Sequence, residues 1–177
     1  MRAILKKRKR SRAGFSLAET LIAILILLMV SAIVAGAIPA ASNVYAKTVD
    51  AANAQVLLST AITVLRDELG TAVSVKPDGT TAITYMNGND GYRKIASIAD
   101  PKGIMLYVGT VDPTSGVPEF TGESRPLVSG KATTRNLVLS FESVEYTGGM
   151  VIFKELKVER NGVTLASRDS LRIRTIK

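Results

Sequence analysis

The chain has 177 residues, enough for one domain of ordinary size plus an N-terminal segment, and its apolar fraction of 46% is that of a folded protein. It contains no cysteine and no histidine, which excludes disulfide frameworks, zinc sites, cysteine nucleophiles and histidine-based triads. The net charge of +8 is local: residues 1–14 hold seven of the 23 Lys and Arg and no acid, leaving 16 basic against 15 acidic residues in the remainder.

In chain order, the basic leader MRAILKKRKRSRAG is followed by FSLAET and then by LIAILILLMVSAIVAGAIPAAS. From Thr20 to Ala46 there is no formal charge, and Leu21–Ala41 supplies 21 uncharged, mostly apolar residues. A helix needs roughly 20 such residues to cross a bilayer core. The leader's charge keeps the N-terminus cytoplasmic and sends the C-terminal bulk outside. A plain single-span anchor fits this pattern, and so does a secretory signal peptide cut near the small residues Ala35–Ala41. Neither explains Glu19, because a carboxylate at the edge of a membrane span is costly unless something pairs with it.

The run Gly14-Phe15-Ser16-Leu17-Ala18-Glu19, after a short basic leader and before a long apolar segment, resembles the class III signal of type IV pilins and type II secretion pseudopilins. The resemblance implies that a membrane-embedded prepilin peptidase cuts on the cytoplasmic side between Gly14 and Phe15. Leader 1–14 is then removed, the Phe15 amine is N-methylated, and 15–45 is kept as a transmembrane and assembly helix. It also implies partners: the peptidase, sibling pilin subunits, an inner-membrane platform protein and a cytoplasmic assembly ATPase. The subunit would sit in the cytoplasmic membrane as a single-pass protein, domain outward, until it enters a surface filament or pseudopilus. The lack of a cysteine pair departs from many major pilins and favours a pseudopilin or minor pilin.

Cleavage would create an α-amino group on Phe15 with an ordinary pKa of about 7.7–8. In a low-dielectric helix bundle, pairing the Glu19 carboxylate with the Phe15 amine of a neighbouring subunit relieves the desolvation of both and sets axial register. The alternative is an acid complementing the helix dipole, worth about 0.3–1 kcal/mol. Both can act together.

Gly36 and Pro39 interrupt the apolar run. Pro39 lacks an amide hydrogen and clashes with the carbonyl of Ala35, so a helix break is expected at 35–39. Beyond it, Ala54, Leu57, Leu58, Ala61, Ile62, Leu65 and Leu69 recur at three- and four-residue steps on one face of an amphipathic helix, with Gly70 as a stop signal. A bent helix over 17–69 would extend about 80 Å.

The rest reads as strands. Thr81–Met86, Tyr92–Ile98 and Ile104–Gly109 are short, β-rich and separated by turn formers. Leu137, Leu139 and Phe141 alternate with Val138, Ser140 and Glu142, and Thr147-Gly148-Gly149 turns into Met150–Arg160. Asn161-Gly162 is a hairpin signal, and Leu171, Ile173 and Thr175 alternate in a last strand. Asp112–Thr134, rich in Pro, Gly, Ser and Thr, reads as irregular loop. The expected fold is α+β: a long N-terminal hydrophobic helix packed on a small, mainly antiparallel sheet domain over 46–177.

Chemistry is sparse in that domain. Asn87-Gly88-Asn89-Asp90-Gly91 lacks the ligand spacing of an EF-hand and reads as a hairpin loop. Glu142 and Glu145 point to opposite faces of a strand, and no serine elbow or phosphate loop is present. No enzyme activity, cofactor or metal is expected. Arg160, Arg168, Arg172, Arg174 and Lys177 gather near the C-terminus, but Glu155, Glu159 and Asp169 intervene and no aromatic follows Phe153. A solvated strand face is expected there and not a nucleic-acid site. The reading is a structural pilin-like subunit; the alternative is a secreted or single-span surface protein with a ligand-binding β-domain.

Overall fold

A computed structural model describes residues 16–88, 91–99, 102–111, 117–120, 124–128 and 136–176. One helix, α1 (Leu17–Gly70), covers the N-terminal third. The chain divides into two compact units between Ala46 and Lys47. Up to Thr48, every described residue of the helix is exposed. The helical assignment runs unbroken through Gly36 and Pro39, so the proline is carried with its one amide hydrogen bond missing and helical conformation retained on both sides.

In the second unit, α1 turns one face to the core. Asp50, Ala54, Leu57, Ala61, Leu65 and Leu69 are buried at steps of three and four, and Leu58 and Ile62 flank them half-buried. This is the predicted apolar stripe, extended by one acid.

Ten strands follow among the described residues, all antiparallel where paired. The first sheet orders β1 (Ala72–Pro77), β2 (Ala82–Asn87), β3 (Tyr92–Ala99), β4 (Lys102–Val111) and β5 (Pro118–Glu119) side by side, with β6 (Ser124–Pro126) also on β4. The second sheet is built on β9 (Met150–Arg160), with β10 (Val163–Arg174) along one side. β7 (Leu137–Ser140) pairs with the Lys157–Arg160 end of β9, and β8 (Ser143–Thr147) with its Met150–Lys154 end. The sheets meet where the Val144 amide donates to the Thr80 carbonyl at 2.8 Å. Between them the core is apolar, with Phe141 and Phe153 edge-to-face at 5.0 Å between centroids. The α+β layout is therefore observed, a long helix whose part from Asp50 to Leu69 packs on antiparallel sheets.

Turn chemistry explains the hairpins. Gly148 and Gly149 have φ of 61° and 78°, and Asn161 and Gly162 have φ of 52° and 81°. Two left-handed residues in a row make the tight turn whose twist matches flanking strands, and Asn-Gly is the residue pair that adopts it most readily. Glu155, at φ 48°, does something less usual: it resets the inward phase of β9. Val151 and Phe153 face the core before it, Leu156 and Val158 after it, and β10 changes phase opposite, from Leu171 and Ile173 to Ala166.

Two expectations are corrected. β1 adds to the expected strands, and Ser74 at φ 51° with a register shift between Val73 and Lys76 turns Ala72 and Val75, three apart, to the buried side. The stretch read as irregular, 112–134, contributes β5 and β6, and Leu127 beyond them is buried with its amide donating to the Ile104 carbonyl at 2.9 Å.

Candidate functional site

The apolar helix and its first turn form the candidate site. Leu21, Ile22, Ile24, Leu25, Ile26, Leu27 and their successors to Tyr45 are all exposed, on every side of the helix. Each such side chain is worth about 1.5–3 kcal/mol when removed from water. A helix apolar all round calls for lipid or for other helices. The segment is long and apolar enough to cross a membrane. Two of its hydroxyls are satisfied within the helix: Ser31 Oγ donates to the Leu27 carbonyl at 2.7 Å, and Thr20 Oγ1 to the Leu17 carbonyl at 2.8 Å.

At the helix start, Ser16 and Glu19 cap each other. Glu19 Oε2 accepts from the Ser16 amide at 3.0 Å and from Ser16 Oγ at 3.2 Å, while the Glu19 amide donates back to Ser16 Oγ at 3.3 Å. This reciprocal arrangement is a capping box, whose signature is a serine followed three residues later by glutamate. That signature is legible in the sequence, where Ser16 and Glu19 stand three residues apart ahead of the apolar run. Gly14 and Phe15, the expected cleavage and methylation positions, lie outside the described residues.

The other singled-out residues are dispersed. Arg160 pairs with Asp50 of α1, and Arg168 Nε donates to the Ser170 carbonyl at 3.2 Å on its own strand. Arg172 and Arg174 are exposed opposite Ile152 and Met150, and Lys177 lies outside the described residues. Glu145 pairs with Lys154, while the Glu142 side chain is exposed. Asn87 serves as a structural residue: its Oδ1 accepts from Thr71 Oγ1 at 3.0 Å, and its Nδ2 lies 3.4 Å from Glu68 Oε2. The remaining loop residues Asn89 and Asp90 are outside the described residues.

Glu68 gathers a cluster that the sequence reading missed. Its Oε2 accepts from Arg93 at 2.7 Å and from the Tyr85 hydroxyl at 3.2 Å. Burial, reinforced by the Glu68 carboxylate, pushes the Tyr85 phenol far above its ordinary value, with Arg93 and Arg125 opposing. The cluster ties the last turn of α1 to β2 and β3; its members are thirty residues or fewer apart but belong to different elements.

No curated protein and no solved structure matches the chain. Over residues 9–35, spanning the end of the basic leader, Gly14, Phe15, the Ser16–Glu19 cap and much of the exposed apolar helix, the chain carries the prokaryotic N-terminal methylation motif, the signal of type IV pilins and pseudopilins.

Proposed function

We propose that the protein is a pilin-like structural subunit, a minor pilin or pseudopilin, made as a precursor and assembled from the cytoplasmic membrane into a type IV pilus or a secretion or competence pseudopilus. The observation that carries this is the methylation motif running directly into a helix whose apolar surface is exposed on all sides. Such a surface waits in lipid as a single span and packs against identical helices once assembled.

In this reading prepilin peptidase cuts between Gly14 and Phe15, and the Phe15 amine is methylated. The Glu19 carboxylate, held on Ser16 in the isolated subunit, then meets the Phe15 amine of a neighbour. The work is polymerisation and not catalysis. A platform protein and an assembly ATPase would drive it from the cytoplasmic side. N-terminal sequencing and intact mass of the membrane-extracted protein test the proposal. A chain beginning at methylated Phe15 supports it; an uncut leader, or a start after Pro39, gives the plain anchor or the secreted protein instead.

A further inference from the structure

The first sheet has an outer face, away from the core, that is not flat. On it Ala82 and Ala96 stand directly opposite each other on β2 and β3, 6% and 5% exposed. Two methyl groups side by side leave a hollow where larger residues would stand. Its volume is about 390 Å³, within the size range of small-molecule pockets.

Its walls are held in place. The Phe120 ring lies against β4 because Gly109 has no side chain: a Cβ there would come within 2.8 Å of ring atoms Cδ1 and Cε1. Lys94 Nζ stands 5.7 Å from the Phe120 ring centroid and 2.7 Å from Asp78 Oδ2. Tyr107, next to Lys94 across β3 and β4, and Thr81 at the end of the β1–β2 turn complete the rim. Asp78 keeps about half of its side-chain surface open beside this pair.

These groups define a chemistry. The Asp78–Lys94 pair sums to zero charge, which gives no net attraction to an anion or a cation. The floor is apolar and an aromatic ring stands beside it. Around the edge are the Lys94 ammonium, the Asp78 carboxylate and the hydroxyl-bearing residues Thr81, Tyr107 and Ser97, both donors and acceptors, with Ser97 Oγ accepting from the Phe141 amide. A pyranose ring has this pattern in reverse: C–H groups across its faces and hydroxyls around its perimeter. We propose that this hollow is a binding site for a neutral saccharide, seated on Ala82 and Ala96 against Phe120 and hydrogen-bonded by Asp78, Lys94, Thr81 and Tyr107. The site belongs to the sheet domain and is independent of processing or assembly at the N-terminus.

The test uses the full chain, isotope-labelled, in a detergent without a sugar headgroup. The probes are methyl glucoside, methyl galactoside, N-acetylglucosamine, maltose and cellobiose. At least one should shift the Ala82 and Ala96 amides saturably, with a Kd between about 0.1 and 10 mM. Ala96→Leu, which fills the hollow, and Phe120→Ala should each weaken that binding about tenfold or more. Thr81→Val, at an exposed position, should weaken it measurably even if either of those variants fails to fold. Lys154→Ala, on the other sheet, should leave it unchanged. The proposal is overturned if no probe saturates by about 50 mM, if binding survives Ala96→Leu and Thr81→Val intact, or if inorganic phosphate or tetramethylammonium shifts these amides where the sugars do not.

Discussion

Asp50 and Arg160, 110 positions apart, form an ion pair that fastens α1 to the end of β9. The Asp50 side chain is 9% exposed and that of Arg160 is 38% exposed, so the pair has one buried and one wet partner. Its position matters as much as its strength. Arg160 is the last residue before the Asn161-Gly162 turn, so the pair holds a hairpin end to the helix just beyond the exposed segment.

Removing the arginine leaves the buried carboxylate without that partner. A fully buried pair broken in this way costs roughly 3–5 kcal/mol. Solvent around Arg160 reduces the expected loss for Arg160→Ala to about 1–2 kcal/mol. Urea unfolding followed by tyrosine fluorescence measures it, and the double variant Asp50→Asn/Arg160→Ala should recover part of the loss. A double variant as unstable as the two single changes summed would mean the residues do not act as a pair.

The two halves of α1 should answer the same substitution differently. Leu65 is 0% exposed and Leu25 is 60% exposed. Leu65→Ala should cost about 2–5 kcal/mol in unfolding of the sheet domain through the cavity it leaves. Leu25→Ala should alter that unfolding by no more than about 0.5 kcal/mol. Its effect should appear in membrane retention or filament yield, and equal losses of domain stability at both positions would contradict the burial of the helix.

Tyr85 makes the domain sensitive to alkali. An unfolded phenol titrates near 10, whereas the folded one is held neutral by burial and by Glu68. A group whose pKa is raised on folding stabilises fully below its unfolded pKa and loses that contribution as pH rises toward the folded one. Stability should therefore fall above about pH 10, and Tyr85→Phe should flatten the fall. Tyr85→Phe also loses one hydrogen bond, at about 1 kcal/mol, visible at neutral pH. An unchanged alkaline slope in Tyr85→Phe would assign the loss to other groups.

Cap and charge at the helix start can be separated. Ser16→Ala removes half of the capping box, at about 1 kcal/mol of local helix stability, and should leave both Gly14 cleavage and filament yield near normal. Glu19→Gln keeps an acceptor oxygen for the Ser16 amide but removes the charge. It should still be cut, and should assemble poorly. Immunoblots of leader processing alongside sheared-filament yield distinguish these outcomes, and normal assembly of Glu19→Gln would remove the ion pair from the mechanism.

The helix was legible because its signals are local and periodic. The stripe from Ala54 to Leu69 needs only a 3.6-residue count, and the Asn161-Gly162 turn only two adjacent residues. What was not legible came from distance or from exceptions to period. Asp50 belongs to the stripe as an acid and is tolerated there because Arg160 returns from far along the chain. In β1 the residue types alternate as Val73-Ser74-Val75-Lys76, but the left-handed Ser74 puts Ala72 and Val75, three apart, on the buried side, and Glu155 enters the left-handed region without being a glycine. The saccharide-sized hollow depends on Gly109 lying beneath Phe120, a close approach that only tertiary structure brings about. At the candidate site the reciprocal cap is legible in Ser16 and Glu19, three residues apart, a signal as local as the Asn161-Gly162 turn.

The Ser16–Glu19 cap uses one carboxylate oxygen. Both bonds from Ser16 end on Oε2, which leaves Oε1 as a second acceptor on the same group. In the proposed fibre a neighbour's ammonium would approach that oxygen while the first turn stayed wound, so docking would add a bond without breaking one. Growth of a fibre on this plan would require no unwinding at its joints: each incoming helix would arrive already finished, with one hand closed and the other open.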